Sequence, residues 1–374
     1  MEARTSATER PALEDGRSWL LDRLARGVHP LDGMDPQAAR ETIGALEGLE
    51  PRPWTAAWGA QADRFAALAR AAASAQEQRA AWMQAYHASF LGRYPTPNDP
   101  AKARQYALAR EYFLAATALD DPPLEVVKLP FDGRAQEGLH VVFYVMRPAR
   151  VVRPPVVMAW GGIDTWKEEV YARLGALFRS AGAAVLLIDM PGVGQSPVRA
   201  GRDAERQWTP IFEWLARNED LDGGRCVAVG ASFGGYWAMK LAHTHREFLR
   251  GAVNWGGGVH VTFGEQWQRR SRSAGSYLMD LMAARAAIFG GSSFEDYVAS
   301  CGELSLLDQG LLDAPSAPLL LVNGRDDAQN SIEDLYLSLD HGDPKCARVF
   351  DGGHMGEGPV VPTIRQWVME RLAR

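Results

Sequence analysis

The chain has 374 residues, 47% of them hydrophobic and 23% charged, with a formal net charge of -6. That length exceeds one ordinary hydrophobic core, so a catalytic domain with a second, smaller unit is expected, and the acidic balance argues against a nucleic-acid-binding surface. The three cysteines, Cys226, Cys301 and Cys346, form no CxxC pair, which argues against a disulfide framework and fits a reducing, cytoplasmic setting.

Taken in chain order, residues 1–17 are rich in charge, lack the apolar core of a signal peptide, and read as a disordered N-terminus. Residues 18–120 read as helices and loops. Trp82, Tyr86 and Phe90 fall four apart and share one helix face, as do Tyr106, Ala109 and Phe113 on a second helix, with Pro95, Pro97 and Pro100 between them. Such stripes serve either as packing or as the wall of a substrate pocket. Asp121-Pro122-Pro123 marks a boundary. No stretch reaches the roughly 18 apolar residues of a membrane helix.

Beyond the boundary, short apolar strands alternate with helix-length segments. Val126–Phe131 and His140–Met146 read as a hairpin pair; Pro155–Trp160, Ala184–Ile188, Cys226–Val229, Ala252–Trp255, Pro318–Val322 and Ala347–Phe350 follow. Most of the later ones are continuous Val/Leu/Ile/Ala runs, as strands buried on both faces require. Helices are expected over Glu168–Ser180, Ala204–Arg217 and Gly234–His243. The alternation predicts an α/β fold for residues 121–374, with a mostly parallel, doubly wound sheet of about eight strands. The interval from Trp255 to Pro318 is too long for a simple crossover, so an insertion is expected at about 259–313, with a helix over Gly275–Ile288.

Gly230-Ala231-Ser232-Phe233-Gly234 follows a strand directly and opens a helix, the context in which G-x-S-x-G forms a nucleophile elbow. A serine hydroxyl needs a base. Of the eight histidines, His354 follows the last strand, where a loop can hang its ring over the elbow; His260, just past a strand end, is the serious rival. The base needs a carboxylate to hold its tautomer. Asp326 and Asp327 both follow the penultimate strand, and Asp327, three residues past the turn glycine Gly324, has the favoured spacing. The oxyanion hole is expected to combine the backbone amide of Phe233 with that of Gly162, in the loop after Pro155–Trp160. Gly192-Val193-Gly194 lacks the third glycine of a dinucleotide fingerprint, Gly256-Gly257-Gly258 lies at a strand edge, and no residue group has metal-ligand spacing, so neither cofactor nor metal is expected.

Through Trp160–Gly162, Asp189–Ser196, Gly230–Gly234, Gly324–Asp327 and His354, residues 124–374 resemble the α/β-hydrolase superfamily. The run Gly161–Glu169 and the helical N-terminal segment are similar to one branch of it: the fermentation-respiration-switch esterases, 2,6-dihydroxypseudooxynicotine hydrolase, and fungal hydrolases that shorten polyketides. The resemblance implies an N-terminal helical cap, and for some members cleavage of a carbon–carbon bond beside a ketone. Homodimers occur in that branch. An extra glutamate assists one relative, and Glu265 is the candidate for that role here. Expected substrate contacts are Trp160, Asp164, Trp255, His260, Glu265 and Tyr86. The reading is a serine hydrolase for a bulky aromatic or polyketide-like small molecule, with a general carboxylesterase or an acyltransferase as alternatives sharing the same acyl-enzyme, and a non-catalytic binding protein as a further one.

Overall fold

A computed structural model describes residues 10–273 and 277–373. The chain divides into two compact units, one holding residues 10–123 and 277–284, the other 124–273 and 285–373.

The first unit is helical: α1 (Leu13–Arg26), α2 (Pro36–Gly44), α3 (Pro51–Ala71), α4 (Ala75–Arg93) and α5 (Pro100–Thr117). Local sequence sets these bounds. Asp35, Ser74 and Asp99 each accept a backbone amide of the first turn, and proline occupies the opening positions of α2, α3 and α5, where its missing N–H costs nothing. Gly27, at φ 61°, closes α1 in the left-handed conformation. Residues 13–17, expected to be disordered, are therefore helical, because Leu20 is buried and draws the preceding turn into the helix; residues 1–9 lie outside the described residues. The aromatic stripe of α4 meets α5: Trp82 stacks on Tyr112 at 5.4 Å and Tyr86 lies 5.2 Å from Phe113. Trp54 and Trp58 on α3 are fully buried, and the Trp54 indole donates to Leu91 O at 2.7 Å.

The second unit is built on eight strands: β1 (Glu125–Pro130), β2 (His140–Met146), β3 (Pro155–Trp160), β4 (Ala184–Ile188), β5 (Asp222–Ala231), β6 (Gly251–Trp255), β7 (Leu319–Gly324) and β8 (Cys346–Phe350). Their order across the sheet is β1-β2-β4-β3-β5-β6-β7-β8. β1 and β2 run antiparallel to their neighbours and every pair from β4 to β8 is parallel. In register, Ala159 faces Val229, Val229 faces Val253 and Val253 faces Leu320. All of β4 and β7 is buried, as the apolar runs require. Parallel strands sharing one direction put the loops after β3, β5, β6, β7 and β8 at one edge, where such sheets assemble their sites.

The crossovers are α6 (Lys167–Val170), a π turn (Tyr171–Gly175), α7 (Ala176–Ser180), α8 (Thr209–Arg217) and α9 (Phe233–Thr244). Two of them differ from the uniform helices expected. Glu168–Ser180 is interrupted by the π turn, where a Cβ on Gly175 would come 2.6 Å from the Met146 sulfur, so the widened turn fits against β2. Residues 204–208 form a 3₁₀ turn, and α8 starts afresh beside Pro210. The insertion carries α10 (Glu265–Arg270), α11 (Leu281–Ala287), whose first four residues belong to the first unit, and α12 (Phe294–Cys301). Of the helix expected over Gly275–Ile288, residues 275 and 276 lie outside the described residues, and 277–279 form bends, so the helix begins only at Leu281. α13 (Glu333–Asp340) and α14 (Val360–Leu372) complete the unit. Among the described residues no helix is long and apolar enough to cross a membrane.

Candidate active site

Ser232 stands between β5 and α9 at φ 57° and ψ -131°, a conformation that costs a non-glycine residue of order 1–3 kcal/mol. Close packing over-determines it. A Cβ on Gly230 would come 2.0 Å from Gly234 O, and one on Gly234 would come 2.2 Å from Gly161 O, so only glycines admit the turn. Ser232 N donates to Trp255 O at 2.7 Å and Gly235 N to Ser232 O at 2.8 Å. From below, the buried Trp160 indole donates to Gly234 O at 2.8 Å.

The loop after β8 brings His354 to this turn, with its Nε2 2.8 Å from Ser232 Oγ. The other ring nitrogen, Nδ1, lies 2.8 Å from Asp327 Oδ2. Asp326 takes another part: its amide donates to Gly352 O at 3.0 Å, bracing the two loops. Asp327 is buried and its carboxylate is well satisfied. Oδ2 also accepts Asn323 Nδ2 at 2.9 Å, and Oδ1 accepts the amides of Gln329 and Asn330 at 2.8 and 3.1 Å. Burial alone would raise its pKa; the His354 ring and these donors outweigh it and hold the carboxyl below its usual value.

Asn323 is a residue that sequence reasoning missed. Its Oδ1 accepts the amides of Gly324 and Met355 at 2.8 and 3.1 Å while its Nδ2 holds Asp327, so one side chain ties the aspartate loop to the histidine loop. The available signal was an amide side chain closing an otherwise apolar strand, Leu319–Gly324. Trp255, expected at the substrate, spends its indole N–H on Met355 O at 2.8 Å and braces the histidine loop; its side chain remains partly exposed.

Gly162 lies against the serine. A Cβ there would come 2.8 Å from Ser232 Cβ, 3.0 Å from Oγ and 3.3 Å from Phe233 N. The backbone at 162 and the first amide of α9 thus flank the same hydroxyl. Asp164, half-buried, lies in the same loop, with Oδ1 3.5 Å from Thr165 Oγ1.

The remaining expected contacts are engaged elsewhere. Trp160 has no exposed surface and supports the elbow from beneath, so it does not face substrate. His260 joins a separate network: its Nδ1 lies 2.7 Å from Ser305 Oγ and its amide donates to Asp334. Glu265 is exposed on α10 and pairs with Arg269 at 2.8 Å, a position set by helix spacing. Tyr86 is buried in the first unit between Phe90 and Phe113.

The family model described as "Esterase FrsA-like" matches residues 36–339. The chain is 30% identical over 235 residues to a Gibberella moniliformis protein named 20-hydroxy-prefusarin hydrolase FUS2, covering 58% of this chain and 55% of that one. It is 24% identical over 372 residues to the Esterase FrsA of Citrobacter koseri, covering 94% of this chain and 88% of that one. The chain thus spans about half the length of the fungal relatives it matches. Among solved structures, the 2,6-dihydroxy-pseudo-oxynicotine hydrolase superposes with a TM-score of 0.73 at 19% identity, over 96% of this chain and 95% of that one. With the family model matched across both units and the sheet of an α/β-hydrolase beneath the elbow, the chain belongs to the FrsA-like esterase family of α/β-hydrolases.

Proposed function

We propose that this chain is a serine hydrolase in which Ser232, His354 and Asp327 act as a triad, on a bulky aromatic or polyketide-like small molecule in the cytoplasm. The observation that carries the reading is the unbroken hydrogen-bonded chain from Ser232 Oγ through both nitrogens of His354 to Asp327. His354 Nε2 takes the hydroxyl proton as Oγ attacks a carbonyl carbon, and Asp327 holds the imidazole in the required tautomer and stabilises the imidazolium. The amides of Gly162 and Phe233 stabilise the oxyanion. Collapse expels the leaving group, which receives the proton from His354; water then attacks the acyl-enzyme with His354 as base, releasing the acid and restoring Ser232.

Where the broken bond is carbon–carbon, the leaving group is an enolate, stabilised by a neighbouring ketone and protonated by His354. The relative named 20-hydroxy-prefusarin hydrolase FUS2 supports hydrolysis of an organic small molecule. A general carboxylesterase is the second reading, favoured by the relative named Esterase FrsA, which matches nearly the whole chain.

The distinguishing experiment compares kcat/KM for aryl 1,3-diketones with that for p-nitrophenyl acetate and butyrate. The expected result is diketone cleavage with poor turnover of the small esters, because a small ester cannot use remote binding energy to orient its carbonyl. Ester efficiency above roughly 10⁵ M⁻¹s⁻¹ with no diketone cleavage would decide for the esterase.

A further inference from the structure

Beneath the loop that carries Gly162 lies a buried cluster of charge. The Lys167 side chain is wholly buried, with Nζ 2.6 Å from Asp189 Oδ2 and 3.0 Å from Glu168 Oε1. Both carboxylates are buried too. Asp189, the first residue past β4, also accepts the Lys167 backbone amide at 3.0 Å through Oδ1 and the Gln195 amide at 2.8 Å through Oδ2. Tyr144 on β2 donates to Glu168 Oε1 at 2.9 Å, and its ring centroid lies 4.9 Å from Nζ. Burial disfavours the ammonium, yet the two carboxylates outweigh it and hold the Lys167 pKa above its usual value.

Such a cluster is a poor device for stability alone, since apolar side chains of similar volume often replace a buried ion pair at no cost. Its place in the chain gives it another use. The loop from Trp160 to Lys167 is held at one end by the Trp160 indole on Gly234 O, beneath the elbow. Within the loop, a Cβ on Gly161 would come 2.1 Å from Thr165 O, and the Trp166 indole donates to Ile163 O at 2.8 Å, so the segment is closed on itself. At its other end Asp189 grips both the amide and the ammonium of Lys167. An oxyanion donor must be held to within about half an ångström to be effective.

We propose that Asp189 and Lys167 are positioning residues for the oxyanion donor at Gly162: the buried ion pair fixes the far end of the loop and thereby the distance of the Gly162 amide from Ser232 Oγ. The inference rests on the serine-hydrolase reading.

The test uses the full chain, with Asp189→Asn, which keeps the side-chain volume, and Lys167→Met/Glu168→Gln, which removes the ammonium together with one carboxylate. Three quantities are read: kcat and KM on the best substrate of the diketone and ester panel; the affinity of an aryl trifluoromethyl ketone, whose adduct with serine carries the oxyanion; and fluorophosphonate labelling, located by mass spectrometry. The expected result is kcat lowered about 10- to 100-fold with KM within about threefold, and ketone affinity lowered by the same factor as kcat/KM, as loss of an interaction made only in the transition state requires. A folded variant of either kind that labels at Ser232 and keeps wild-type kcat and ketone affinity overturns the assignment. If Asp189→Asn fails to fold, the double variant decides between the same two outcomes. Failure of the wild-type protein to label at Ser232 overturns the hydrolase reading itself, and this proposal with it.

Discussion

Asp327 and Asp326 are neighbours with the same side chain, yet only one is buried with four hydrogen bonds on its carboxylate, to His354, Asn323, Gln329 and Asn330. On the proposed mechanism, Ser232→Ala, His354→Ala and Asp327→Asn each reduce turnover by roughly a thousandfold or more, and combinations lose little further, because the three act as a unit. Asp326→Asn keeps near-wild-type rates; steady-state kinetics of the four variants, with circular dichroism to show that each is folded, is the check. Asn323→Leu is expected to be subtler. It leaves the Met355 amide and one Asp327 oxygen short of a partner, at about 1–3 kcal/mol, and lets the two loops drift apart. Lower kcat together with a lower midpoint in urea is the expected signature, and a variant with unchanged kcat would show that Asn323 does not orient the pair.

The loops, as elements, are tied to one another by buried polar groups. Asp334, in the first turn of α13 and 1% exposed, accepts the amides of Val259, His260, Val261 and Thr262 at 3.0, 3.0, 2.6 and 3.0 Å. This one carboxylate stands at the root of the insertion, and a few residues upstream the same loop carries Asp327. Charge-assisted bonds contribute about 1.5–3 kcal/mol each at most and do not add fully. Asp334→Ala is therefore expected to cost about 3 kcal/mol or more, and Asp334→Asn, which keeps one acceptor oxygen, distinctly less. Chemical denaturation of both variants measures the difference; equal and small losses would show that the insertion is held by its apolar contacts instead.

At the scale of the whole molecule, one source of acid sensitivity lies in the helical unit. In the helical unit, burial lowers the pKa of His87 to about 4, opposed only in part by Asp32, and its ring sits where a Cβ on Gly33 would come 2.7 Å from Nε2. The folded state holds this ring neutral, while the unfolded chain takes up its proton near the ordinary value of about 6.5. Stability from this source is complete above pH 6.5 and is lost progressively as the pH falls toward 4, by at most about 3 kcal/mol. His87→Phe is expected to flatten that slope in denaturation midpoints measured from pH 7 to pH 4; an unchanged slope would place the acid sensitivity elsewhere.

Much of this was legible in the sequence, and the reason lies in local chemistry. Strands buried on both faces announce themselves as apolar runs, so β3 and β4 match their expected bounds residue for residue. The elbow is legible because its glycines answer a local crowding that no other residue relieves. The preference for Asp327 over Asp326 rests on spacing along the chain, and the structure joins that residue to His354. Other features depend on contacts between segments far apart in sequence. Asn323 meets Met355, Trp160 turns inward beneath Gly234, Lys167 is buried between carboxylates, and His260 is taken by Ser305; no periodicity or motif encodes those meetings. The sequence by itself determined the order of the strands along the chain, the turn at Ser232 and the residue types its chemistry needs. The tertiary structure alone decided which polar groups meet, because a hydrogen bond is satisfied by whichever group the packing of the sheet brings within about 3 Å, at whatever distance along the chain it stands.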